Sequence, residues 1–242
     1  MQQFFAEPSW IREGRIFLEG SDVNHIKNVL RMRPGEDVRI SDGSGRVFLC
    51  CISAYEEKTA VLDILKELDA DTELPSKITL FQGLPKGDKM DWIVQKAVEL
   101  GAYSVVPFAA GRSVKLDEKK AKKRQERWQL IAKGAAEQSG RGLIPEVQQV
   151  KTFPEALKMA SGLDVVLIPY ELAEGMDKTA RIIEEIRPGQ SVGVFIGPEG
   201  GFEEEEIRRA RESGAEPVTL GKRILRTETA GLSVLSILMY HL

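Results

Sequence analysis

The stretch VGVFIGPEGGF, residues 192–202, decides the fold of this chain, because an apolar, strand-like run stops abruptly in a glycine-rich turn. Three glycines and a proline leave almost no side-chain bulk in that turn. Glycine permits both an unusual φ and a close approach of bare backbone to another group. Acidic residues 203–206 then begin a helix, since acidic side chains favour the positive end of the helix dipole. The stretch therefore predicts a strand, a ligand-binding loop and a helix in succession.

A second junction of the same kind lies downstream. The strand-like run PVTL, residues 217–220, is followed by the loop and helix start GKRILRTETA, residues 221–230. Two successive junctions of this type predict two loops that meet at the carboxyl ends of neighbouring parallel strands. Ligands bind at that edge in open α/β sheets. We therefore expect a ligand between the two loops.

Composition and charge narrow the class of protein. The chain has 242 residues, and 42% of them are hydrophobic, which is ample for a buried core. Its formal net charge of -3 gives no overall signal for nucleic acid, so any RNA contact must come from local basic patches. No apolar run approaches the length of a membrane span, and the start MQQFF lacks the regions of a signal peptide. We therefore expect a cytoplasmic protein with no membrane partner.

The sequence gives little support for a metal site. Cys50 and Cys51 are adjacent in a strand-like run, so they point to opposite faces, and core filling is the expected role. His25 and His241 are the only histidines, which leaves too few ligands for a zinc cage. We predict no metal.

Two domains are predicted. Residues 1–72 contain short strands, one helix at about 22–31 and a hairpin signal, DGSG, at 42–45, a pattern typical of a small β-barrel of the kind used to bind nucleic acid. Acidic residues and a proline then interrupt the apolar periodicity and mark a boundary. Strands alternate with helices from there on, so residues 73–242 are predicted to form an α/β domain.

Local basic residues are candidates for RNA contact. In the predicted helix, Lys27 and Arg31 lie four residues apart on one side, where two cations could hold phosphates, although a solvated surface would have the same pattern. Lys86 and Lys89 flank the start of another predicted helix, where backbone amides and the dipole also favour a phosphate. The loop before that helix matches neither the Walker pattern nor the dinucleotide fingerprint. RNA backbone contact and ordinary surface charge remain the two interpretations.

Two further segments are unusual. The polar cluster EQSGR, residues 137–141, lies beside a glycine that stops a long basic helix, and packing alone explains it poorly. The final segment, residues 227–242, is apolar almost all round, so either the domain or a partner chain buries it.

The two glycine-bearing stretches together resemble the signature of the RsmE family, the small-subunit ribosomal RNA uridine-N3 methyltransferases of the SPOUT superfamily. Three other parts of the chain match the same family: residues 25–35 with 42–45, residues 86–101, and residues 137–141. The likeness therefore spans nearly the whole chain. The family often has Ser or Thr as the helix cap after Gly-Gly-Phe, whereas this chain has Glu203.

This resemblance implies both a fold and an activity. The fold is an N-terminal PUA-like RNA-binding β-barrel followed by an α/β SPOUT methyltransferase domain with a C-terminal deep trefoil knot, which also joins a homodimer. The activity is methylation of a uridine N3 in 16S ribosomal RNA, with S-adenosyl-L-methionine as the methyl donor and an assembled small subunit as the partner. A SPOUT-type ribose 2′-O-methyltransferase and a non-catalytic RNA-binding module are the alternatives.

The resemblance also assigns candidate site residues. Those for the cofactor are Leu167, Ile196, Gly197, Glu199, Gly200, Gly201, Leu220, Gly221, Ile224, Leu225, Thr227, Thr229 and Ala230. Those for RNA are His25, Lys27, Arg31, Arg33, Lys86, Lys89, Arg112 and Arg141.

Arg226, Glu199 and Glu228 are the catalytic candidates. Uracil N3 must lose a proton as it attacks the sulfonium methyl, and a fixed cation would stabilise the charge that spreads onto the flanking carbonyl oxygens. Arg226 is the first candidate for that cation, although a structural salt bridge would also explain it. Glu199 and Glu228 are candidates for a general base or for holding Arg226.

Overall fold

The computed structural model describes residues 1–69, 71–113, 117–173 and 175–242, apart from the side chain of Glu118. The chain forms two compact units. The first comprises Met1–Glu73 and Ala136–Ile144, and the second comprises Leu74–Ala135 and Pro145–Leu242. The change of unit after residue 73 lies beside the predicted domain boundary. The sequence did not predict that segment 136–144 joins the first unit.

The first unit contains one six-stranded sheet. Its strands are β1 (Gln3–Phe5), β2 (Ile11–Arg12), β3 (Arg15–Leu18), β4 (Asp37–Ser41), β5 (Val47–Tyr55) and β6 (Ala60–Leu68), in the order β1-β4-β5-β6-β3-β2. β1 pairs with β4 in parallel, and the other neighbours are antiparallel. A 3₁₀ turn spans Pro8–Trp10, and helix α1 (Ser21–Asn24) continues into a π-helical turn, His25–Val29.

Alternation along the strands builds the core of this unit. Phe48, Cys50 and Ile52 of β5 point inward and are buried, whereas Cys51 is only half-buried. This confirms that the two cysteines face opposite sides and that Cys50 fills the core. Burial raises the pKa of Cys50 to about 12, so it remains a thiol at neutral pH.

Segment 136–144 is held in the first unit by polar contacts. The side chain of Arg141 is 4% exposed and forms an ion pair with Glu73, with Nε 3.2 Å from both carboxylate oxygens. Ser41 Oγ donates to the Gly142 carbonyl (2.6 Å), and Gln3 Nε2 donates to the Arg141 carbonyl (2.6 Å). The placement corrects the expectation that Arg141 contacts RNA, because its guanidinium is buried against a carboxylate of its own unit.

We expect Glu73→Ala to lower the free energy of unfolding by about 2–3 kcal/mol, because it leaves the buried Arg141 guanidinium without its carboxylate. Urea denaturation followed by circular dichroism would measure the loss. Glu67→Ala is the matched control, since Glu67 pairs with Arg46 on the surface of the same unit, where ion pairs contribute little. Equal losses for the two variants would contradict a structural role for the Arg141–Glu73 pair.

The second unit is an α/β layer structure. Its strands are β7 (Lys77–Gly83), β8 (Ser104–Ala109), β9 (Glu146–Val147), β10 (Lys151–Thr152), β11 (Val165–Pro169), β12 (Ser191–Ile196) and β13 (Glu216–Val218). Its helices are α2 (Lys89–Glu99), α3 (Glu118–Ser139), α4 (Phe153–Ala160), α5 (Met176–Glu185), α6 (Glu204–Glu212) and α7 (Thr227–His241), of which α3 ends in the segment assigned to the first unit. The strand order is β10-β8-β7-β12-β11-β13, with β9 also on β8, and every pairing is parallel.

A group of phenylalanines anchors the functional edge of this sheet. Phe81 of β7 and Phe195 of β12 stack with ring centroids 4.3 Å apart, and Phe108 and Phe153 pack against Phe195. Phe202, which directly follows the glycine turn, packs on Phe108 and Phe153 and is 6% exposed. The turn is therefore held between a central strand and a buried aromatic ring.

The last helix, α7, buries only one side. It packs against α2, β7 and β12, and Val234, Leu235 and Leu238 are buried. Ile237 and Tyr240 are 42% and 92% exposed, so the opposite side of the helix presents apolar groups to solvent. Among the helices of the described residues, none is long and apolar enough to cross a membrane.

Candidate active site

Three loops meet at the carboxyl edge of the sheet in the second unit. They follow β11, β12 and β13, and β11 lies between the other two strands. The sequence predicted that the two loops would follow neighbouring strands. The structure corrects this, because β11 and its loop lie between β12 and β13. The loops enclose a cavity of about 420 Å³, within the usual range for small-molecule sites.

The glycine loop after β12 has the geometry that its sequence demands. Gly201 has φ +67°, in the left-handed region that favours glycine, and its amide donates to the Pro198 carbonyl (2.9 Å) to close a tight turn. Helix α6 follows with Glu203 at its N-cap. The backbone amide of Glu203 donates to Glu206 (2.9 Å), which also accepts from the Gly111 amide (2.9 Å). Glu203 thus occupies the N-cap position where the family resemblance implies Ser or Thr, and the Glu206 carboxylate at the third helical position completes the cap.

Gly200 faces Arg112 and lies outside the cavity wall. A Cβ at Gly200 would lie 2.9 Å from the Arg112 Cβ, and Arg112 Nη1 donates to the Gly200 carbonyl (2.9 Å). The glycine is therefore needed for the close approach of Arg112, and its contact with the cofactor stays a prediction. Arg112 is a candidate for RNA contact, and its Nη1 atom is hydrogen-bonded to the outer side of the glycine loop.

A buried hydrogen-bond chain joins the two predicted loops. Thr227 Oγ1, at the start of α7, donates to the Gly197 carbonyl (2.6 Å) and accepts from Gln82 Nε2 (2.9 Å). Gln82 is fully buried at the end of β7, and Thr227 is 6% exposed. The hydroxyl therefore fixes the spacing between the glycine loop and the loop that precedes α7.

We expect Thr227→Val to lower the free energy of unfolding by about 1–3 kcal/mol, because at nearly constant volume it removes a partner of the half-buried Gly197 carbonyl and one of the two acceptors of the buried Gln82 amide. Urea denaturation would measure the change. Thr227→Ser should keep most of the stability, and Thr229→Val, on the exposed side of the same helix, is the matched control. A Thr227→Val protein as stable as the parent would show that the hydroxyl contributes no net stability.

Lys89, predicted as an RNA contact, lies at the cavity and is bound to two carboxylates. Its Nζ is 3.1 Å from Glu199 Oε1 and 3.3 Å from Glu228 Oε2, and both approaches are ion pairs. The Lys86 amide also donates to Glu199 (3.1 Å). This cluster links the start of α2, the glycine loop and the first turn of α7.

Lys89 and Glu199 keep their charges at neutral pH. Hydrogen bonding to Glu199, assisted by Glu228, raises the pKa of Lys89. Partial burial by itself would raise the pKa of Glu199, but hydrogen bonds from its own backbone amide, Lys89 and the Lys86 amide outweigh burial and lower it. The ionised carboxylate of Glu199 already binds Lys89 and backbone amides, which makes it a poor general base.

Arg226 lies at the cavity rim with most of its side chain in solvent. It is the N-cap residue of α7, its side chain is 79% exposed, and Nη1 lies 4.0 Å from Glu228 Oε1. An ion pair this long and exposed constrains the guanidinium weakly. The side chain can therefore turn toward a substrate above the cavity.

Most of the predicted cofactor residues line the cavity. Those in its wall are Ile196, Gly197, Glu199, Gly201, Leu220, Gly221, Ile224, Leu225, Thr227 and Ala230. Gly200, Leu167 and Thr229 lie outside that wall, with Leu167 fully buried in β11 and Thr229 exposed on α7, and their cofactor contacts stay predictions.

The sequence interpretation missed one wall of the cavity. Pro169, the last residue of β11, lines it together with Tyr170 and Glu171, which follow the strand. Residues 164–170, DVVLIPY, are largely apolar, so the junction rule that predicted the other loops applies equally to this one. Lys222 and Arg223 also line the cavity, beside Arg226.

The remaining RNA candidates are surface residues. Lys86 is exposed in the second unit, and His25, Lys27, Arg31 and Arg33 are exposed around the π-helical turn of the first. Arg31 has φ +55°, an uncommon value for a residue with a Cβ. Across the described part of the chain, no three His, Cys, Asp or Glu side chains are grouped as metal ligands would be.

Comparison with known families covers both units. Residues 72–239 match the family described as RNA methyltransferase domain, and residues 18–65 match the family described as RNA methyltransferase PUA domain. The fold is accordingly an α/β methyltransferase fold with an N-terminal PUA-like domain.

Individual relatives match over nearly their whole length. The ribosomal RNA small subunit methyltransferase E of Bacillus subtilis is 39% identical over 248 residues, which cover 100% of this chain and 97% of that protein. The crystal structure of a ribosomal RNA small subunit methyltransferase E from Neisseria gonorrhoeae bound to S-adenosyl methionine has a TM-score of 0.88 and 35% identity, covering 99% of this chain and 97% of that one. A Legionella pneumophila methyltransferase in complex with the same cofactor has a TM-score of 0.87 and 32% identity, covering 98% and 96%.

Proposed function

The chain belongs to the family of ribosomal RNA small subunit methyltransferase E proteins, and from this premise we propose that it methylates N3 of a uridine in 16S ribosomal RNA. It is an S-adenosyl-L-methionine-dependent ribosomal RNA methyltransferase. One observation carries the proposal: a cavity formed by three loops at the carboxyl edge of a parallel sheet, with an arginine standing at its rim.

The cavity fits the cofactor. Ile196, Phe202, Leu220 and Leu225 give it apolar walls suited to an adenine ring, and the backbone of the glycine loop offers hydrogen-bonding groups without side-chain bulk. When bound, S-adenosyl-L-methionine supplies an electrophilic methyl group on a sulfonium.

The site residues take distinct roles in this proposal. Arg226 binds the carbonyl oxygens of the target uracil and stabilises the charge that develops there, because a preorganised cation acts most strongly on charge that forms in the transition state. Glu199 and Glu228 hold Lys89, and through it they fix the glycine loop and the start of α7. The two carboxylates are positioning residues in this scheme.

Residues 1–72 are the proposed RNA-binding domain, and residues 73–242 the proposed methyltransferase domain. The exposed cations of the first unit, Lys27, Arg31 and Arg33, supply phosphate contacts, while Lys86 supplies one in the second. Ribosomal RNA within an assembled small subunit is the proposed substrate, which places the protein in the cytoplasm.

A homodimer joined through a knotted C-terminal region completes the proposal. The exposed apolar side of α7, with Ile237 and Tyr240, together with Trp92 of α2, supports such an interface. The bonds from Thr227 to Gly197 and Gln82 support the knot, because they bring the chain back past β11 to the end of β7 after it has formed β13. Light scattering at micromolar concentration would test the dimer, and an active monomer would exclude it.

The decisive experiment maps the product. RNA from a strain that lacks the protein would be incubated with the purified enzyme and cofactor, digested to nucleosides and fragments, and mapped by mass spectrometry. The expected result is one new N3-methyluridine in 16S RNA. A ribose-methylated nucleoside would indicate the 2′-O alternative, and cofactor and RNA binding without methylation would indicate a non-catalytic module.

A further inference from the structure

The loop between β13 and α7 carries an exposed isoleucine among cations. Residues 221–226, here named the rim loop, expose Lys222, Arg223, Ile224 and Arg226, whereas Leu225 is half-buried. Ile224 is 84% exposed, and of the large apolar side chains in the described residues only Tyr240 is more so. No acidic residue occurs from position 219 to 227. The rim loop therefore combines an apolar tip with unbroken positive charge.

Ile224 lines the mouth of the cavity, but most of its side chain is free of contact with the protein. Leu220 and Leu225 are partly covered and form the apolar side of the cavity nearest to the rim loop, while Ile224 keeps most of its surface in solvent at the mouth. An aliphatic side chain gains free energy only when a partner removes it from water.

The proposed reaction requires an exposed apolar side chain near the cavity. N3 lies on the Watson–Crick edge of uracil, so a paired or stacked uridine must leave its helix before the methyl group can reach it. Enzymes that modify bases extrude the target nucleotide, and proteins that open a stack insert Leu, Ile, Met or Phe between bases. The rim loop has the residue type and the position for that task.

We propose that Ile224 is the wedge that occupies the stack when the target uridine turns into the cavity, with Lys222 and Arg223 holding the flanking phosphates. The inference rests on the proposed function, because it deepens the account of how the same site takes its substrate. The positive charge of the rim loop identifies RNA as the molecule that binds there. A second copy of this chain, placed symmetrically on the rim loop, would bring three cations against three, whereas phosphates complement them.

The test compares two RNAs that carry the uridine mapped above, one in a base-paired helix and one in an unstructured single strand. For Ile224→Ala we expect the single-turnover rate on the helical RNA to fall about tenfold, the scale of one lost apolar insertion, and the rate on the single strand to stay within about twofold. Ile224→Met should restore the helical rate, since Met can also insert. The rates are measured at saturating S-adenosyl-L-methionine, so any loss of cofactor affinity, which calorimetry would measure, does not enter the comparison.

A second readout follows base opening without turnover. With 2-aminopurine beside the target and S-adenosylhomocysteine in place of the methyl donor, the parent protein should raise the fluorescence of the helical RNA, and Ile224→Ala should lose most of that rise. Arg223→Ala should keep the fluorescence change at saturation but weaken RNA affinity and reduce its salt dependence.

Three outcomes would contradict the proposal that Ile224 acts as a wedge. Equal rate losses on both RNAs with weaker cofactor binding would make Ile224 a cofactor contact. A changed oligomeric state for Ile224→Ala, measured by light scattering, would make it a subunit contact. Unchanged rates on both RNAs would leave it without a role in substrate entry. Failure of the parent protein to methylate either RNA would instead count against the proposed function.

Discussion

Arg226→Ala should lower the single-turnover rate of methyl transfer by about a hundredfold or more while leaving cofactor affinity intact. A hundredfold loss corresponds to about 2.7 kcal/mol of transition-state stabilisation, the usual scale for one preorganised donor. The charge that Arg226 would meet forms only as N3 attacks, so its loss should appear in the chemical step rather than in ground-state binding.

The structure allows this effect to be separated from folding. The Arg226 side chain is 79% exposed, and its approach to Glu228 is 4.0 Å long. Exposed pairs of that kind contribute little stability, so the variant should unfold at nearly the same urea concentration as the parent. Arg226→Lys should recover part of the rate, because a lysine keeps the charge but cannot donate two parallel hydrogen bonds.

Matched controls separate chemistry from RNA binding. Arg31→Ala and Lys86→Ala should weaken RNA affinity and flatten its salt dependence, yet they should react at nearly the parental rate when RNA is saturating. Arg211→Ala, an exposed cation on α6, should change neither property. A near-normal saturated rate for Arg226→Ala would assign Arg226 a structural role and leave the catalytic cation unidentified.

The backbone architecture could be predicted from the sequence because local signals agree with the fold. The sequence predicted short strands in residues 1–72, where β1–β6 are observed, and the junction at 196–204 gave the correct order of strand, turn and helix. These features depend on alternation, glycine placement and helix caps, which act within a few residues.

Features that depend on distant partners could not be predicted in the same way. Arg141 is buried because Glu73 lies beside it, and Gly200 is a glycine because Arg112 approaches it. Lys89 looked like a phosphate ligand at a helix start, but two carboxylates from residues more than a hundred positions away surround it. A cation and its partner carry no local pattern, so the sequence identified the charges but misplaced their roles.

Methyl transfer should become about tenfold faster for each pH unit between about pH 6 and 8, because Lys89 holds Glu199 and Glu228, and neither of these carboxylates is then free to take the N3 proton. In that case the reactive species is the uridine anion, and its fraction rises tenfold per unit below the pKa of N3. The expected gain over the whole interval is about a hundredfold.

The charged groups of the cavity support this expectation. The pKa of Glu199 is lowered by hydrogen bonds that outweigh its partial burial, and Lys89, whose pKa is raised by Glu199 and Glu228, stays protonated. Glu228 is held by the same lysine, and no histidine lies in the part of the cavity wall that the structure describes. Glu171 is the remaining carboxylate in that wall and lies exposed at the rim.

Single-turnover rates at saturating RNA and cofactor, measured across this pH range, test the expectation. Glu171→Gln and Glu199→Gln should keep the same slope, and a 5-fluorouridine target, whose N3 proton is more acidic, should react faster at low pH in proportion to its larger ionised fraction. A rate that is already constant above about pH 6 would mean that a protein carboxylate accepts the proton. Loss of that plateau in one of the two glutamine variants would then identify the base, since only the residue that takes the proton can set the pH at which the rate levels off.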